Sequence, residues 1–319
     1  MTQYTDFINY HLSMLVDETR TGAYGQAISK VVNPGDVVVD VGCGSGILSF
    51  FACRAGARHV YAIESEPVIN IAELVAAKNG FQDRITFYNA SSFNVELPEP
   101  ADVIVTETMG TFGFEEGILG SLTDARERFL KRGGRLIPHG VDLFLVPVEL
   151  PQFYEHVVDF WVNRCQGFDF SPVRHLTVNN FHPLKLHEGT FLGDPLRVQE
   201  IEFGETTQAE VKAGFTIHAK RQGWLHGLAG WFNAELMPGL SISNGPQDKA
   251  SHWGLAFFPI DRPVSVNRGN RIDVEMSSSQ NGEYWHWNIS VNGLRFEHSS
   301  TKGSLLEVTD RHSSLSPPL

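Results

Sequence analysis

Two glutamates in one short segment are the most informative polar residues of the sequence. Glu107 and Glu116 lie nine positions apart, and Gly110 and Gly113 between them permit the chain to reverse so that the carboxylates face each other. Neighbouring carboxylates repel unless a cation lies between them, and a planar guanidinium suits that place because it pairs with carboxylates in a bidentate way. The spacing fits a second interpretation equally well, in which one acid lies in a loop and the next acid lies at a helix N-terminus. Glu115 suits the helix position better than Glu116.

A glycine-rich segment forms a second candidate site. Its spacing is Gly-x-Gly-x-Gly, whereas a dinucleotide-binding loop has Gly-x-Gly-x-x-Gly, and position 47 is Ile. A pyrophosphate needs a helix N-terminus aimed at it, but S-adenosylmethionine carries none, so close backbone approach is sufficient. We therefore predict that this segment binds S-adenosylmethionine and that Asp40 orients both the loop and the ligand's ammonium. The residues expected to contact the cofactor are Asp40, Gly42, Cys43, Gly44, Gly46, Ile47 and Leu48.

An acidic residue closes the next apolar segment. Glu64 follows Gly44 by 20 residues, the position at which a carboxylate accepts hydrogen bonds from ribose hydroxyls. The alternative is an ordinary glycine turn joined to a helix, with Glu64 as a solvated strand end. The order of strand, loop, helix, strand and acid favours the cofactor site.

The elements that position these residues alternate in the first half of the chain. Apolar segments predict strands, and helical spacing separates them, which indicates a doubly wound parallel sheet with ligands at its carboxyl edge. The predicted strands are Asp36–Val41, His59–Ile63, Arg84–Tyr88 and Asp102–Thr106, and the predicted helices are Ile47–Ala55, Val68–Asn79 and Glu115–Lys131.

After Pro138 the pattern changes to short strands separated by turn residues, which predicts an antiparallel sandwich or barrel. Residues 152–190 interrupt this pattern with aromatic residues and a helical patch at Phe153–Cys165. The predicted strands are Val141–Pro147, Arg197–Phe203, Val211–His218, His226–Glu235, Gly254–Pro259, Arg271–Met276, Tyr284–Val291 and Leu294–His298.

Composition excludes several classes of protein. The 319 residues suggest about two domains, and 25 Lys and Arg against 37 Asp and Glu argue against a nucleic-acid-binding protein. The apolar runs are too short for a membrane span, and no signal peptide precedes them. Cys43, Cys53 and Cys165 have neither a disulfide pattern nor metal-ligand spacing. We expect a cytoplasmic protein without a metal.

Together these motifs resemble the protein arginine methyltransferases. That family has an N-terminal segment similar to His11–Tyr24, a glycine loop, a ribose-binding acid, and a loop with two glutamates nine residues apart. It also has a Thr-His-Trp segment, which corresponds here to Ser251-His252-Trp253. The motifs occur in the same order and extend over most of the chain.

The resemblance implies an α/β Rossmann-like methyltransferase domain followed by a mainly antiparallel β-barrel with an inserted dimerisation arm. The corresponding boundaries are an N-terminal helical cap at 1–30, the S-adenosylmethionine-binding domain at 31–138, the barrel at 139–312 and a flexible tail at 313–319. The arm corresponds to residues 152–190, so a homodimer formed through this segment is expected.

The resemblance also assigns roles to individual residues. It implies that Glu107 and Glu116 bind the guanidinium of arginine, and that His252, paired with Asp17, accepts or relays a proton, although a His before Trp is more often structural. Arg20 is expected to bind the cofactor's carboxylate. Further contacts are implied to the cofactor from His11, Ser65, Ser92, Phe93 and Glu107, and to the substrate from Met14, Met109 and Trp253.

The expected activity is methylation of arginine, either in proteins and peptides or as the free amino acid. A small-molecule guanidino methyltransferase of a biosynthetic pathway is an alternative, since the chain carries no added recruiting domain. A catalytically inactive binding protein with the same fold is a third hypothesis, which the presence of both glutamates and the glycine loop disfavours.

Overall fold

A computed structural model describes residues 3–163, 166–185, 190–206, 210–247 and 252–303, excluding the side chains of 3–7 and 281. Cys165, Ser251 and the tail predicted at 313–319 lie outside these ranges. The helices are α1 (Gln3–Leu15), α2 (Glu18–Val31), α3 (Ile47–Ala55), α4 (Ile69–Lys78), α5 (Ile118–Phe129), α6 (Pro151–Val157) and α7 (Ser171–Val178). Within the described ranges, none of them is both long and apolar enough to cross a membrane.

Fifteen strands and three short 3₁₀ helices form the rest of the regular structure within these ranges, the latter at Ser92–Asn94, Asp159–Val162 and Gln280–Gly282. The strands of the first half are β1 (Val37–Val41), β2 (His59–Glu64), β3 (Ile85–Asn89), β4 (Ala101–Thr106) and β5 (Leu130–Ile137). The strands of the second half are β6 (Gly140–Val148), β7 (His182–Leu184), β8 (Leu196–Glu202), β9 (Lys212–His218), β10 (Gly223–Met237), β11 (Leu240–Ser243), β12 (Leu255–Val266), β13 (Arg271–Ser279), β14 (Tyr284–Val291) and β15 (Leu294–Ser299).

The first five strands form a parallel sheet in the order β3-β2-β1-β4-β5. Every residue of β1 is buried, as expected for a strand covered by helices on both faces. The chain passes to one side of β1 for β2 and β3 and to the other side for β4 and β5. The crevice at such a reversal is the usual ligand site of open α/β sheets. The predicted Rossmann-like fold is confirmed.

The remaining strands form two antiparallel sheets that together make the predicted barrel. One sheet has the order β7-β12-β10-β6-β8, with β11 paired to β10, and the other has the order β15-β14-β13-β9. In β14 the buried side chains alternate with less buried ones, which directs Trp285 and Trp287 into the core. This alternation is the pattern that predicted the strand.

The loop between β4 and α5 joins the two halves of the molecule. Its side chain Phe112 lies against Trp285 and Phe258, with ring centroids 4.9 and 5.1 Å apart. Gly230 in β10 makes this insertion possible, because a Cβ there would lie 2.5 Å from the Phe112 ring. Phe114 packs beside Trp285 as well. The barrel therefore fixes the position of a loop that belongs to the parallel sheet.

Two predicted helices differ from the structure. The helix predicted from Glu115 begins at Ile118, and the chain leaves the helix at Leu130 to enter β5 instead of continuing to Lys131. The first difference arises because Glu115 binds backbone groups of its own loop. The helical patch predicted at Phe153–Cys165 consists of α6 and a 3₁₀ turn at Asp159–Val162.

Candidate active site

A cavity of about 800 Å³ opens at the carboxyl edge of the parallel sheet, next to the ends of β1, β2 and β4. Most of the residues that the sequence predicts for the site line this cavity. They are His11, Met14, Arg20, Gly42, Cys43, Gly44, Ile47, Leu48, Glu64, Ser65, Ser92, Phe93, Glu107 and Glu116. Asp17, Asp40, Gly46, Met109, His252 and Trp253 are also predicted but are not part of the lining.

Positive backbone φ angles shape the glycine loop. Gly42, Gly44 and Gly46 have φ of 72°, 52° and 89°, a region that other residues rarely adopt. A Cβ on Gly42 would lie 2.5 Å from the Thr108 side chain, and one on Gly44 would lie 3.3 Å from the ring of His11. The loop therefore needs glycine both for its conformation and for the space around it.

Glu64 connects the end of β2 to the glycine loop. Its Oε2 accepts a hydrogen bond from the Gly44 N–H at 3.0 Å, and its Oε1 accepts one from the Glu66 N–H at 2.9 Å. A carboxylate has about four acceptor positions, so these two bonds leave lone pairs for further donors. Glu64 therefore both fixes the loop and retains the capacity to bind ligand hydroxyls.

Asp40 lies behind the glycine loop. Its Oδ2 accepts a hydrogen bond from the Ser49 hydroxyl of α3 at 2.6 Å, while Oδ1 has no partner among the described residues. Burial raises the pKa of Asp40 to about 7, although the Ser49 bonds oppose the rise. Its contact with a ligand stays a prediction, whereas its bond to Ser49 fixes the loop to α3.

A buried ion pair joins α2 to the candidate substrate loop. The Arg20 guanidinium donates from Nε to Glu107 Oε2 at 2.6 Å, and its Nη2 donates to the same oxygen. Burial raises the pKa of Glu107 to about 7, an effect that the Arg20 charge opposes. The sequence predicted the cofactor's carboxylate as the partner of Arg20, but the structure shows Glu107 in contact with this guanidinium. The prediction about the cofactor stays open.

The second glutamate of the loop receives its donor from α1. The Tyr10 hydroxyl donates to Glu116 Oε1 at 3.0 Å. Burial raises the pKa of Glu116, and the hydrogen bond from Tyr10 opposes this effect. Tyr10 is one of the N-terminal aromatic residues that the family resemblance brings near cofactor and substrate, but no local signal predicted its bond to a partner 106 residues away.

Glu115 is not an acid at a helix N-terminus, so that interpretation is wrong. Its two carboxylate oxygens accept hydrogen bonds from the Phe112 and Phe114 N–H groups at 2.8 and 3.1 Å. Burial raises the pKa of Glu115 to about 7. Gly110 is required at the turn because a Cβ there would collide with the Glu115 carboxylate. Glu115 therefore shapes the loop that presents the other two glutamates.

His252 and Asp17 form a pair across the domain boundary. Asp17 Oδ2 accepts hydrogen bonds from His252 Nδ1 at 3.0 Å and from the His252 backbone N–H at 3.1 Å. Its other oxygen caps α2 by accepting from the Arg20 N–H. Burial raises the pKa of Asp17, but these hydrogen bonds outweigh it and hold the pKa below its usual value. Burial lowers the pKa of His252, which favours the neutral imidazole at pH 7.

Backbone contacts hold the double-glutamate loop against the barrel. Trp253 Nε1 donates to the Met109 carbonyl at 2.8 Å. Asn244 donates to the Thr111 carbonyl at 2.8 Å and accepts from the Phe232 N–H at 2.9 Å. Trp253 and Met109 therefore support the loop from behind, and neither lines the cavity. Asn244 is a supporting residue that the sequence analysis missed, since its segment predicted only a turn.

Neither metal chemistry nor a reactive thiol is indicated in the part of the chain that the structure describes. No group of three or more His, Cys, Asp or Glu side chains could hold a metal ion there. Burial raises the pKa of the Cys43 thiol well above its usual value, so the thiolate is disfavoured. The site consists of carboxylates, one guanidinium and neutral donors.

Comparison with known families gives two matches that divide the chain. Residues 139–298 match the family model described as the arginine methyltransferase oligomerization subdomain. Residues 21–141 match the model of ribosomal protein L11 methyltransferase. The two matches fall on the antiparallel and the parallel halves of the fold, respectively.

Curated proteins and solved structures resemble the chain over most of its length. It is 32% identical to protein arginine N-methyltransferase 1.1 of Arabidopsis thaliana, covering 85% of this chain and 71% of the relative. It is 33% identical to protein arginine N-methyltransferase 6 of Xenopus laevis, covering 86% and 85%.

Two solved structures have the same fold. One is the Trypanosoma brucei PRMT1 enzyme–prozyme heterotetrameric complex with AdoHcy, with a TM-score of 0.81, 24% identity, and coverage of 91% of this chain and 96% of that one. The other is Arabidopsis thaliana protein arginine methyltransferase 10, with a TM-score of 0.77, 22% identity, and coverage of 92% and 99%.

The role of Glu115 predicts an unusual pH dependence of stability. With a pKa of about 7 when folded and about 4.3 when unfolded, this carboxyl stabilises the fold at low pH and loses that contribution as pH rises towards 7. Glu115→Gln places an amide donor against backbone donors. We expect it to reduce the free energy of unfolding by about 1–3 kcal/mol at pH 5 and by less at pH 8, measured by urea denaturation.

The matched control is Glu127→Gln, because the Glu127 side chain is exposed on α5. We expect this variant to change the free energy of unfolding by less than about 0.5 kcal/mol. An acid at a helix N-terminus stabilises only when ionised, so a Glu115→Gln deficit that grows with pH would contradict the structural role.

Proposed function

Since the chain belongs to the protein arginine methyltransferase family, we propose that it transfers a methyl group from S-adenosylmethionine to a guanidino nitrogen of arginine in proteins or peptides. One observation carries the proposal. Glu107 and Glu116 line the same cavity as the glycine loop and Glu64, so a guanidinium-binding pair and a cofactor-binding loop share one space.

The cavity has the donors and acceptors that this cofactor needs. Glu64 retains acceptor positions for the ribose hydroxyls, and Gly42 and Gly44 line the cavity with no side chain of their own between backbone and ligand. Ser92 and Phe93 line the cavity where we place the adenine. Arg20 uses three of its five N–H groups on Glu107 and the Met14 carbonyl, which leaves donors for the ligand's carboxylate. When bound, the cofactor supplies a methyl group activated by a sulfonium.

The two glutamates act as a clamp for the substrate's guanidinium. The side chain of Arg20 occupies Glu107 Oε2, whereas Glu107 Oε1 accepts only a long contact, of 3.4 Å, from the Met109 N–H. We assign Oε1 and the Glu116 carboxylate to the substrate. Each carboxylate draws positive charge onto the nitrogen that it faces, so the third nitrogen retains a lone pair for attack. Met14 lines the same cavity and packs against the substrate's aliphatic stem.

His252 is the residue to which we assign the proton released on methylation. Its Nδ1 faces Asp17, so the neutral ring carries its hydrogen there and leaves the Nε2 lone pair as an acceptor. Asp17 also caps the helix that carries Arg20, which connects the proton acceptor to the clamp. In this assignment Asp17 is a positioning residue.

The charge of the cavity favours an arginine within a peptide over free arginine. Six glutamates line the cavity, whereas Arg20 is its single lining residue with a fixed positive charge among those described. Arg20 is assigned to the cofactor's carboxylate, so the α-carboxylate of free arginine would face these glutamates without a cation of its own, whereas a peptide arginine brings no such group. The lining glutamates are Glu64, Glu66, Glu107, Glu115, Glu116 and Glu283.

The clamp predicts a selective loss of rate. Glu107→Gln and Glu116→Gln each replace an anionic acceptor with an amide whose donors face an all-donor guanidinium. We expect each to cost about 2–4 kcal/mol in the transition state, or roughly 30- to 1000-fold in kcat/KM towards an arginine-rich peptide. The measurement is transfer of an isotope-labelled methyl group at saturating cofactor, with S-adenosylhomocysteine affinity determined in parallel.

The control is Glu297→Gln, which changes an exposed carboxylate of β15 outside the cavity and should leave the rate unchanged. Near-normal rates for both Glu107→Gln and Glu116→Gln would contradict the proposal that these residues bind the guanidinium. A kcat/KM for free arginine equal to that for the peptide would instead overturn the choice of acceptor and support the small-molecule alternative. No transfer to either acceptor, together with normal cofactor binding, would support the inactive binding protein.

The His252 assignment predicts a changed pH profile. His252→Gln should lower kcat by about 100-fold and remove the ionisation of His252 from the acidic limb of the kcat/KM profile. Burial lowers the pKa of His252, so its ionisation lies below about 6.5, whereas burial raises the pKa of Glu107 to about 7 and the limb from this carboxyl stays in the variant. A slower variant whose profile below about pH 6.5 is the same as that of the wild type would show that His252 only positions the loop.

We also propose that the protein is a homodimer formed through residues 152–190. This segment lies within the stretch that matches the oligomerization subdomain. It exposes apolar side chains at Phe160, Val162, Phe168 and Phe170, and Phe168 is 70% exposed. A second exposed apolar pair, Ile71 and Leu74, lies on α4. In the proposed twofold dimer, the arm of each protomer contacts the α4 surface of the other, so the same contact occurs twice.

The proposed interface predicts that single charges separate the protomers. Phe168→Glu and Leu74→Glu should each convert a dimer into a monomer at micromolar concentration in sedimentation velocity. Trp224→Glu is the control, because Trp224 is an exposed aromatic residue of β10 outside both surfaces. Deleting residues 152–190 is a poorer test, since β7 and Tyr154 within it belong to the barrel's packing. A monomeric wild-type protein would contradict the proposal.

A further inference from the structure

A second cavity, of about 770 Å³, lies along β5 and beside the connection from α2 to β1, whereas the first cavity lies near carboxyl ends of strands. Its walls come from the end of α2, from α5 and β5, and from the Met237–Pro238 turn of the barrel. We call it the basic cleft, because six of its lining residues are Lys30, Arg126, Lys131, Arg132, Arg135 and His139.

The charge of the basic cleft opposes that of the whole chain. The protein carries a net charge of −12, yet no Asp or Glu lines the cleft among the residues described. Three of its cations have a carboxylate partner outside the lining: Lys131 with Asp102, Arg135 with Asp36, and Arg126 with Glu127.

The other two fixed cations of the basic cleft have no such partner. Lys30 and Arg132 form no ion pair within the described part of the chain. The cleft therefore has two cations that no carboxylate of the described residues neutralises, beside three that are paired. A concave surface lined by one sign of charge attracts ligands of the opposite sign.

An irregular strand pairing exposes the two central cations. In the ladder between β4 and β5, Ala101 faces Leu130 and Val103 faces Arg135, so residues 131–134 bulge opposite a single residue. Such bulges redirect side chains away from the sheet and occur often at binding sites. Gly133 within the bulge has φ of 76° and open space beside it. The bulge thus turns Lys131 and Arg132 and an open stretch of backbone towards the cleft.

We propose that the basic cleft binds a ligand carrying two or more phosphate groups. Arginine and lysine donate charge-assisted hydrogen bonds to phosphate oxygens, and the cavity is in the size range of small-molecule sites. The site is separate from the one proposed for methyl transfer. Both ends of α2 are involved, since Arg20 near its start lines the first cavity and Lys30 near its end lines the cleft. The 14-residue helix spans about 21 Å.

The test uses the full-length protein saturated with S-adenosylhomocysteine, so that the first cavity is filled. Sodium tripolyphosphate and GTP are titrated by calorimetry at low ionic strength, with guanosine as the uncharged comparison. We expect saturable binding of tripolyphosphate that weakens as salt is raised. GTP that binds more tightly than tripolyphosphate would support the site and indicate a nucleotide ligand, whereas equal affinities would support it and indicate recognition of the phosphates alone.

Charge reversals locate the site. Lys30→Glu and Arg132→Glu should each weaken tripolyphosphate binding at least about tenfold, because each replaces a donor with a repelling carboxylate. Lys212→Glu makes the same change in net charge at an 80% exposed side chain on β9, and it should alter the affinity by less than about twofold.

Three outcomes would overturn the proposal. The first is no binding of tripolyphosphate at about 1 mM, a concentration at which even weak specific sites fill. The second is equal weakening by Lys212→Glu and the two cleft variants, which would indicate a non-specific charge effect. The third is binding of a polyglutamate peptide without binding of tripolyphosphate.

Discussion

Carboxylates that lose contact with water need other donors, and this requirement organises the centre of the molecule. Glu107 is buried, Glu115 is half-buried and Glu116 is exposed at the cavity, and desolvation raises the pKa of each. Each is satisfied from a different part of the chain: Glu107 by Arg20 of α2, Glu116 by Tyr10 of α1, and Glu115 by the loop's own backbone. Removing Arg20 would leave the buried Glu107 carboxylate unpaired, which costs more than the bond itself contributes.

The barrel provides the rigidity that this loop lacks by itself. Phe112 is inserted beside Trp285, Trp253 donates to the Met109 carbonyl, and Asn244 connects the loop to β10. Apolar packing and backbone hydrogen bonds thus hold a highly charged segment in one conformation. The clamp that we propose depends on such preorganisation, since misplaced carboxylates lose bidentate geometry towards a guanidinium.

α2 has a central place in this arrangement. Asp17 caps its first turn and pairs with His252 of the barrel, Arg20 one turn later pairs with Glu107, and Lys30 in its last turn lines the basic cleft. The helix therefore contacts both proposed sites and both halves of the fold. The two cavities share no lining residue among those described.

The local features follow from short stretches of sequence. Strand periodicity and glycine spacing predicted the parallel sheet, its ligand loop and the Glu64 position, because such patterns depend on neighbouring residues in the chain. The pairing of His252 with Asp17 across 235 residues was expected only from the family resemblance. The contacts that no local pattern predicted come from the folded structure: Arg20 with Glu107 across 87 residues, Tyr10 with Glu116 across 106, and five basic residues and a histidine in one cleft. The folded structure also reversed the interpretation of Glu115. These outcomes depend on how the two halves pack, and packing depends on the whole set of side-chain shapes, which no local spacing encodes.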